Sequence, residues 1–278
     1  MQYQQYWLRT RDGSKLFNRI WIPEDYPVKI IVLIHGLGEH GGRYENWAEQ
    51  FTSHNFIFVA GDLRGHGKSK GIRGDVRRPI VMIRDIIYTI KDIRQEFPKL
   101  PLILYGHSLG GTLLIELYKH YRDVEGLIIT SPWLELVYKP PEWKKRLAKI
   151  FEYFLPWVTV RSDIIPEQLT KSTEIIEDLY RDNLVHRRIS ARFFNDITTL
   201  GQKILEQDYS VEVPVLIMQG EEDQLVSIEA TRRFAEKLKL FATFKSWPDN
   251  YHEIHNDVDS PLVFDYIIEW LNNIKKTT

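Results

Sequence analysis

A chain of 278 residues with 43% hydrophobic side chains can bury a sizeable core, and it fits one large domain with an insertion better than two domains. Its 37 basic and 38 acidic residues leave no net field to gather nucleic acid or an anionic membrane. Cysteine is absent, which excludes disulfides, thiolate nucleophiles and thiolate metal ligands together.

The opening MQYQQYWLRTRDGSK has no basic-then-apolar signal pattern, and no run reaches the roughly 18 apolar residues of a membrane span, so a cytoplasmic protein is expected. The first elements read as two strands around an Asp12-Gly13 turn. KIIVLIHG (29–36), FIFVAGDL (56–63), PLILYGHS (101–108), GLIITSP (126–132) and VPVLIMQG (213–220) then follow as short apolar runs. They are too continuous to alternate, as strands buried on both faces should be. Helix-length stretches at 43–54, 78–97 and 109–121 separate most of them. Strand, helix, strand, repeated, predicts an α/β fold: a mainly parallel sheet with helices on both faces.

The rhythm breaks between about Leu134 and Ser210, where helical patterns punctuated by Pro140, Pro141, Pro156 and Pro166 replace strands. So long a stretch is not a loop in a compact domain, and it predicts a helical cap at 135–210 inserted between core segments 1–134 and 211–278. In EWKKRLAKIFEYFLPW, Trp143, Leu147, Ile150, Phe151, Phe154 and Leu155 share one helical face, with Lys144, Lys145 and Lys149 largely opposite. That face either packs over the sheet domain or touches lipid.

Chemistry concentrates where strands end. In PLILYGHSLGGTLLIELY, Ser108 stands between Gly106 and Gly110, after a strand and before a helix, which is G-x-S-x-G in its required context. The turn is too tight for a Cβ at the flanking glycines, and it holds the hydroxyl clear of the backbone. Such a nucleophile needs a histidine base and an orienting acid, in the chain order serine, acid, histidine. QGEED (219–223) supplies Glu221, Glu222 and Asp223 after the next strand, and spacing alone does not choose among them. DNYHEIHND (249–257) then supplies His252 and His255. Their separation is one residue short of the zinc signature H-E-x-x-H, and no thiolates complete a ligand set, so no metal is expected. GDLRGHGKS (61–69) is a near-miss to a phosphate-binding loop: Asp62 stands where the pattern requires glycine, and no helix follows. It reads as a structural loop with Asp62 and Arg64 bonded internally.

HGLGEHGGRY (35–44), DLRGHGKS (62–69), GHSLGG (106–111), QGEED (219–223) and YHEIH (251–255) together resemble the monoacylglycerol lipase and lysophospholipase group of the α/β-hydrolase superfamily, over nearly the full length. The resemblance selects Asp223 as acid and His252 as base, with His255 near the polar end of the substrate pocket. It implies an oxyanion hole from the backbone N–H groups of Leu37 and Leu109, and places Glu39 and Arg43 at the polar end of the site. An acyl chain would lie under the cap against Phe151, Phe154 and Leu155. The implied substrate is a small lipid ester, a monoacylglycerol first, with a lysophospholipase or broad carboxylesterase as runner-up. A peptidase, or a non-catalytic ligand-binding relative, is the more distant alternative. No cofactor and no nucleic acid are implied. Transient contact with a membrane or micelle through the cap is, and the oligomeric state is left open.

Overall fold

A computed structural model describes residues 1–138 and 153–274. Ten strands are described, eight of them in one sheet of order β1-β2-β4-β3-β5-β6-β9-β10. The hairpin β1 (Gln2–Arg9) and β2 (Lys15–Ile22) forms one edge, with Arg9 paired to Lys15 across a turn in which Gly13 adopts φ +83°. β2 runs antiparallel to β4 (Phe56–Gly61). From β4 onward the sheet is parallel, through β3 (Lys29–Ile34), β5 (Leu102–His107), β6 (Gly126–Thr130), β9 (Val215–Gly220) and β10 (Ala242–Trp247). The central strands are buried along their whole length, as their unbroken Val, Ile and Leu runs require.

Helices cover both faces. α1 (Glu45–Ser53) buries Trp47, Ala48 and Phe51 on one face of the sheet, where α7 (Ser260–Asn273) adds Val263, Phe264, Ile267 and Leu271. On the other face α2 (Pro79–Glu96) opens with proline in the first turn, where its missing N–H costs nothing, and buries Met82, Ile83, Ile86, Ile90 and Ile93 at helical spacing. α3 (Leu109–Leu117) is buried almost all round, between the sheet and a helix from the insertion. The sheet order departs from β3 in both directions, to β4 on one side and β5 on the other. The carboxyl ends of β3 and β5 therefore form the topological switch point, the place where open α/β sheets bind ligands.

The insertion differs from a purely helical cap. Among its described residues are two short strands, β7 (Thr159–Arg161) and β8 (Arg188–Ser190), which pair antiparallel; at three residues each they are too short for periodicity to reveal. α4 (Thr173–Arg181) lies between them. α5 (Ala191–Glu206) is capped by Ser190 and buries Phe193, Ile197 and Ile204 in the same cluster as α3, so it packs as part of the sheet's helical layer. The apolar face predicted at Trp143, Leu147, Ile150 and Phe151, with its opposing lysines, lies outside the described residues. β10 and α6 (Ile228–Leu238) complete the fold.

Candidate active site

Ser108 follows β5 directly and holds φ +52°, ψ −116°, a region that non-glycine residues rarely occupy. The flanking glycines make the bend possible. A Cβ on Gly106 would lie 2.6 Å from Gly110 O, and one on Gly110 would lie 1.9 Å from Ile34 O. The Ser108 amide is held by Thr130 O at 2.9 Å, which ties the bend to the end of β6.

Two loops from distant parts of the chain converge on the Ser108 turn. His252 Nε2 lies 2.9 Å from Ser108 Oγ, and its Nδ1 lies 2.8 Å from Asp223 Oδ2. Asp223 is fixed in turn: Oδ1 accepts the amides of Leu225 (2.9 Å) and Val226 (3.1 Å), and Oδ2 accepts from Gln219 Nε2 at 3.1 Å. The neighbouring acids are engaged elsewhere, Glu221 with the Ser246 hydroxyl and Glu222 with Lys171. Of the three acids in QGEED, the structure thus brings only Asp223 to the histidine. Burial alone would push the His252 imidazole toward neutrality, yet the charge and hydrogen bond of Asp223, together with the charges of Glu253 and Glu39, outweigh it and hold its pKa above the ordinary histidine value. Ser131, at φ +45°, donates its hydroxyl to His252 O at 2.8 Å and braces the histidine loop from the end of β6.

Leu109 is the first residue of α3, where helix geometry leaves its N–H without an internal acceptor. The Leu37 N–H likewise donates to no other protein group among the described residues. Both belong to the segments flanking Ser108: a Cβ on Gly36, beside Leu37, would stand 3.2 Å from Ser108 Cβ. The arrangement can move a proton from the serine hydroxyl to an imidazole steadied by a carboxylate, beside two unsatisfied amide donors.

Glu39, Arg43 and His255 stand behind this layer, in positions that differ from an open polar pocket. Arg43 forms a bidentate pair with Glu253 (2.8 and 2.6 Å) and reaches Glu39 at 3.0 Å; both carboxylates are buried and the arginine is partly so. Glu39 also accepts the Gly36 amide at 2.5 Å and the Tyr44 hydroxyl at 3.1 Å. Two carboxylates thus share one cation. Burial, with the charge of Glu253, lifts the Glu39 pKa against the pull of Arg43, while the bidentate contact with Arg43 holds Glu253 below the usual carboxylate range despite burial. His255 stacks on Tyr44 at 4.7 Å and meets Trp47 and His107 edge-on; burial pushes its pKa down to about 3, so it is a neutral ring of the core. In the segment between β6 and β9, Phe154 and Leu155 are 68% and 43% exposed, as are the nearby Tyr153 and Trp157, rather than enclosed as an acyl lining. Phe151 lies outside the described residues.

The loop of the phosphate-site near-miss is filled by its own carboxylate. Asp62 accepts from Arg19, from the Gly41 amide and from the Lys68 amide, and a Cβ on Gly67 would meet Asp62 Oδ2 at 2.2 Å. Arg64 pairs with Asp85 and Asp12, so both residues are bonded internally, though not to each other. Among the described residues no three His, Asp or Glu side chains converge as a metal site, and no helix is long and apolar enough to cross a membrane.

Sheet order, elbow and converging loops define an α/β-hydrolase. The family described as serine aminopeptidase, S33, matches residues 25–259, and the chain belongs to that family. It is 30% identical over 244 residues to the phospholipase YtpA of Bacillus subtilis, covering 86% of this chain and 93% of that protein. It is 29% identical to the human monoglyceride lipase, over 95% of this chain and 89% of the lipase. A crystal structure of Paleococcus ferrophilus monoacylglycerol lipase superposes with a TM-score of 0.79 at 29% identity, covering 94% of this chain and 99% of that one. The chain also spans 28% of the length of an abhydrolase domain-containing protein of Dictyostelium discoideum, with 29% identity.

Several residues of the site carry no local sequence signal. The roles of Glu253, Ser131 and Gln219 emerge only from their contacts, although Glu253 stands within YHEIH and Gln219 within QGEED.

Proposed function

We propose that the protein is a serine hydrolase of lipid esters acting through Ser108, His252 and Asp223, with monoacylglycerol as its substrate. The observation that carries the proposal is the continuous relay from Ser108 Oγ through both nitrogens of His252 to Asp223. His252 takes the Ser108 proton as the oxygen attacks the ester carbonyl, and the imidazolium is stabilised by the buried carboxylate. The Leu37 and Leu109 amides receive the developing oxyanion; removing one such donor typically costs about 3 kcal/mol of transition-state stabilisation. The proton passes from His252 to the departing alcohol, and an acyl-enzyme remains on Ser108. Water, deprotonated by the same histidine, then releases the fatty acid. The chemistry requires neither a metal nor an organic cofactor.

Glu39 and Arg43 serve this reading from behind, since Glu39 holds the Gly36 amide and so the loop that bears Leu37. Lipases of monoacylglycerols among the relatives support the substrate. The exposed Phe154, Leu155 and Trp157 suit transient contact with the micelle or membrane that presents it. The identity to a phospholipase favours a lysophospholipid as second reading. Purified protein assayed on monoacylglycerols of graded length, a lysophospholipid, a triacylglycerol and a peptide amide separates these. Monoacylglycerols should have the highest kcat/KM, rising with acyl length; a preference for the lysophospholipid selects the second reading, and hydrolysis of the amide alone overturns both.

A further inference from the structure

The loop after β3 is fixed to the fold at both ends. At its start the Leu63 amide donates to His35 Nε2 at 2.9 Å, so His35 Nδ1 carries the proton and donates to Gly36 O at 2.8 Å. Glu39 holds the Gly36 amide, and at the far end Asp62 holds that of Gly41 at 2.9 Å. Gly38 and His40 lie between, and their hydrogen-bond partners from outside the loop come from the inserted segment. His186 N–H donates to Gly38 O at 2.7 Å, and His40 Nε2 donates to Asp182 Oδ2 at 2.7 Å. The His40 tautomer is set by its neighbours: the Gly42 amide donates to Nδ1 at 3.1 Å, leaving Nε2 as the protonated nitrogen. Asp182 Oδ1 accepts the Leu184 amide at 2.7 Å, so the same carboxylate builds the turn that delivers His186. Contact is close, since a Cβ on Gly38 would lie 2.1 Å from His186 O.

The peptide bearing the Leu37 N–H is therefore bracketed, by the Gly36 amide on Glu39 and by the Gly38 carbonyl on His186. An aspartate is also out of place for α4 itself. Asp182 is that helix's C-cap, the negative end of its dipole, where cations are favoured. Its side chain is 27% exposed, and its outward oxygen is spent on His40 rather than on any local cation. Resting on the proposed function, in which the Leu37 amide receives the oxyanion, the geometry points to Asp182 as a positioning residue for the oxyanion hole, acting through His40 and through the turn that presents His186. The cap then bears on the chemical step as well as on the substrate. Its neighbouring stretch grips the histidine loop in the same way: the Glu253 N–H donates to Leu169 O at 2.8 Å, and the Lys171 N–H donates to Asp257 at 2.9 Å.

The test uses p-nitrophenyl acetate, whose acyl group is too short to lean on the cap. Asp182→Ala should lower kcat about tenfold with KM within about twofold, a smaller loss than removing the donor itself, because the amide is misplaced and not deleted. The Ki of a boronic acid, whose tetrahedral adduct on Ser108 puts an oxygen in the hole, should rise by the same factor. Asp182→Asn should recover part of the loss, its single amide oxygen serving one of the two donors. The double variant His40→Ala with Asp182→Ala should be no slower than the worse single variant. Rates are compared per folded molecule, taken from each variant's unfolding curve. A kcat for Asp182→Ala within about twofold of wild type overturns the proposal, as does an unchanged boronate Ki beside a loss that Asp182→Asn does not relieve. A wild-type protein inert to every ester would instead remove the reading on which the proposal rests.

Discussion

Replacing Asp223 by asparagine changes one atom type in a fully packed place. Four donors converge on the carboxylate: the amides of Leu225 and Val226, Gln219 Nε2 and His252 Nδ1. An asparagine offers one oxygen. With that oxygen kept on the two backbone amides, its NH2 group faces Gln219 and His252, and the imidazole relieves the clash by moving its proton to Nε2. That nitrogen then points a hydrogen at Ser108 Oγ and no longer serves as base. The expected loss is about 10⁴ in kcat, as for the equivalent change in a serine protease triad, or about 5 kcal/mol of transition-state stabilisation. The pH profile supplies an independent readout. Activity needs neutral His252, whose pKa is raised, so the wild-type rate should fall as pH drops through a midpoint above the ordinary histidine value. Without the carboxylate, burial remains as the dominant influence and the midpoint should move down. Both are measured from kcat/KM on p-nitrophenyl butyrate across pH, with circular dichroism confirming the fold. A loss of less than about tenfold would refute the assignment of Asp223, and so would an acid midpoint that does not move.

Ser108→Ala should abolish labelling by a fluorophosphonate probe seen in intact mass; stoichiometric labelling of that variant would move the nucleophile elsewhere. Gly110→Ala would drive a Cβ to 1.9 Å from Ile34 O, a strand carbonyl with no freedom to yield, and should cost about 4 kcal/mol in urea unfolding or prevent folding outright; a cost under about 1 kcal/mol contradicts the elbow geometry. Arg43→Met leaves the buried carboxylates of Glu39 and Glu253 without their cation and should cost about 3–5 kcal/mol. Because the uncompensated carboxylates bind protons more readily in the folded state, the variant should lose more stability as pH rises, and adding Glu253→Gln should restore part of it. Equal stability of wild type and Arg43→Met at neutral pH would show that the network holds nothing.

The parts of this molecule that were legible in its sequence are those whose causes are local. The elbow at Ser108 follows from two glycines and a strand-to-helix change within a few residues, and the central strands follow from unbroken apolar runs. β10 was illegible because Lys245 and Ser246 interrupt its apolar pattern at a half-exposed sheet edge. β7 and β8 were illegible because three residues carry no period. Spacing could not separate Asp223 from Glu221 and Glu222, and the structure shows why: what distinguishes them is the Gln219 amide and two backbone N–H groups on one side, and Ser246 and Lys171 on the other. The deepest omissions are pairings across the chain. Arg43 meets Glu253 across 210 positions, and His40 meets Asp182 across 142. In YHEIH the three polar side chains divide their work by direction alone. His252 turns toward the serine, Glu253 turns back to anchor the arginine, and His255 packs flat on Tyr44. A one-dimensional motif records that these residues stand close in sequence; only the path of the backbone between them decides which one reaches the reacting atom.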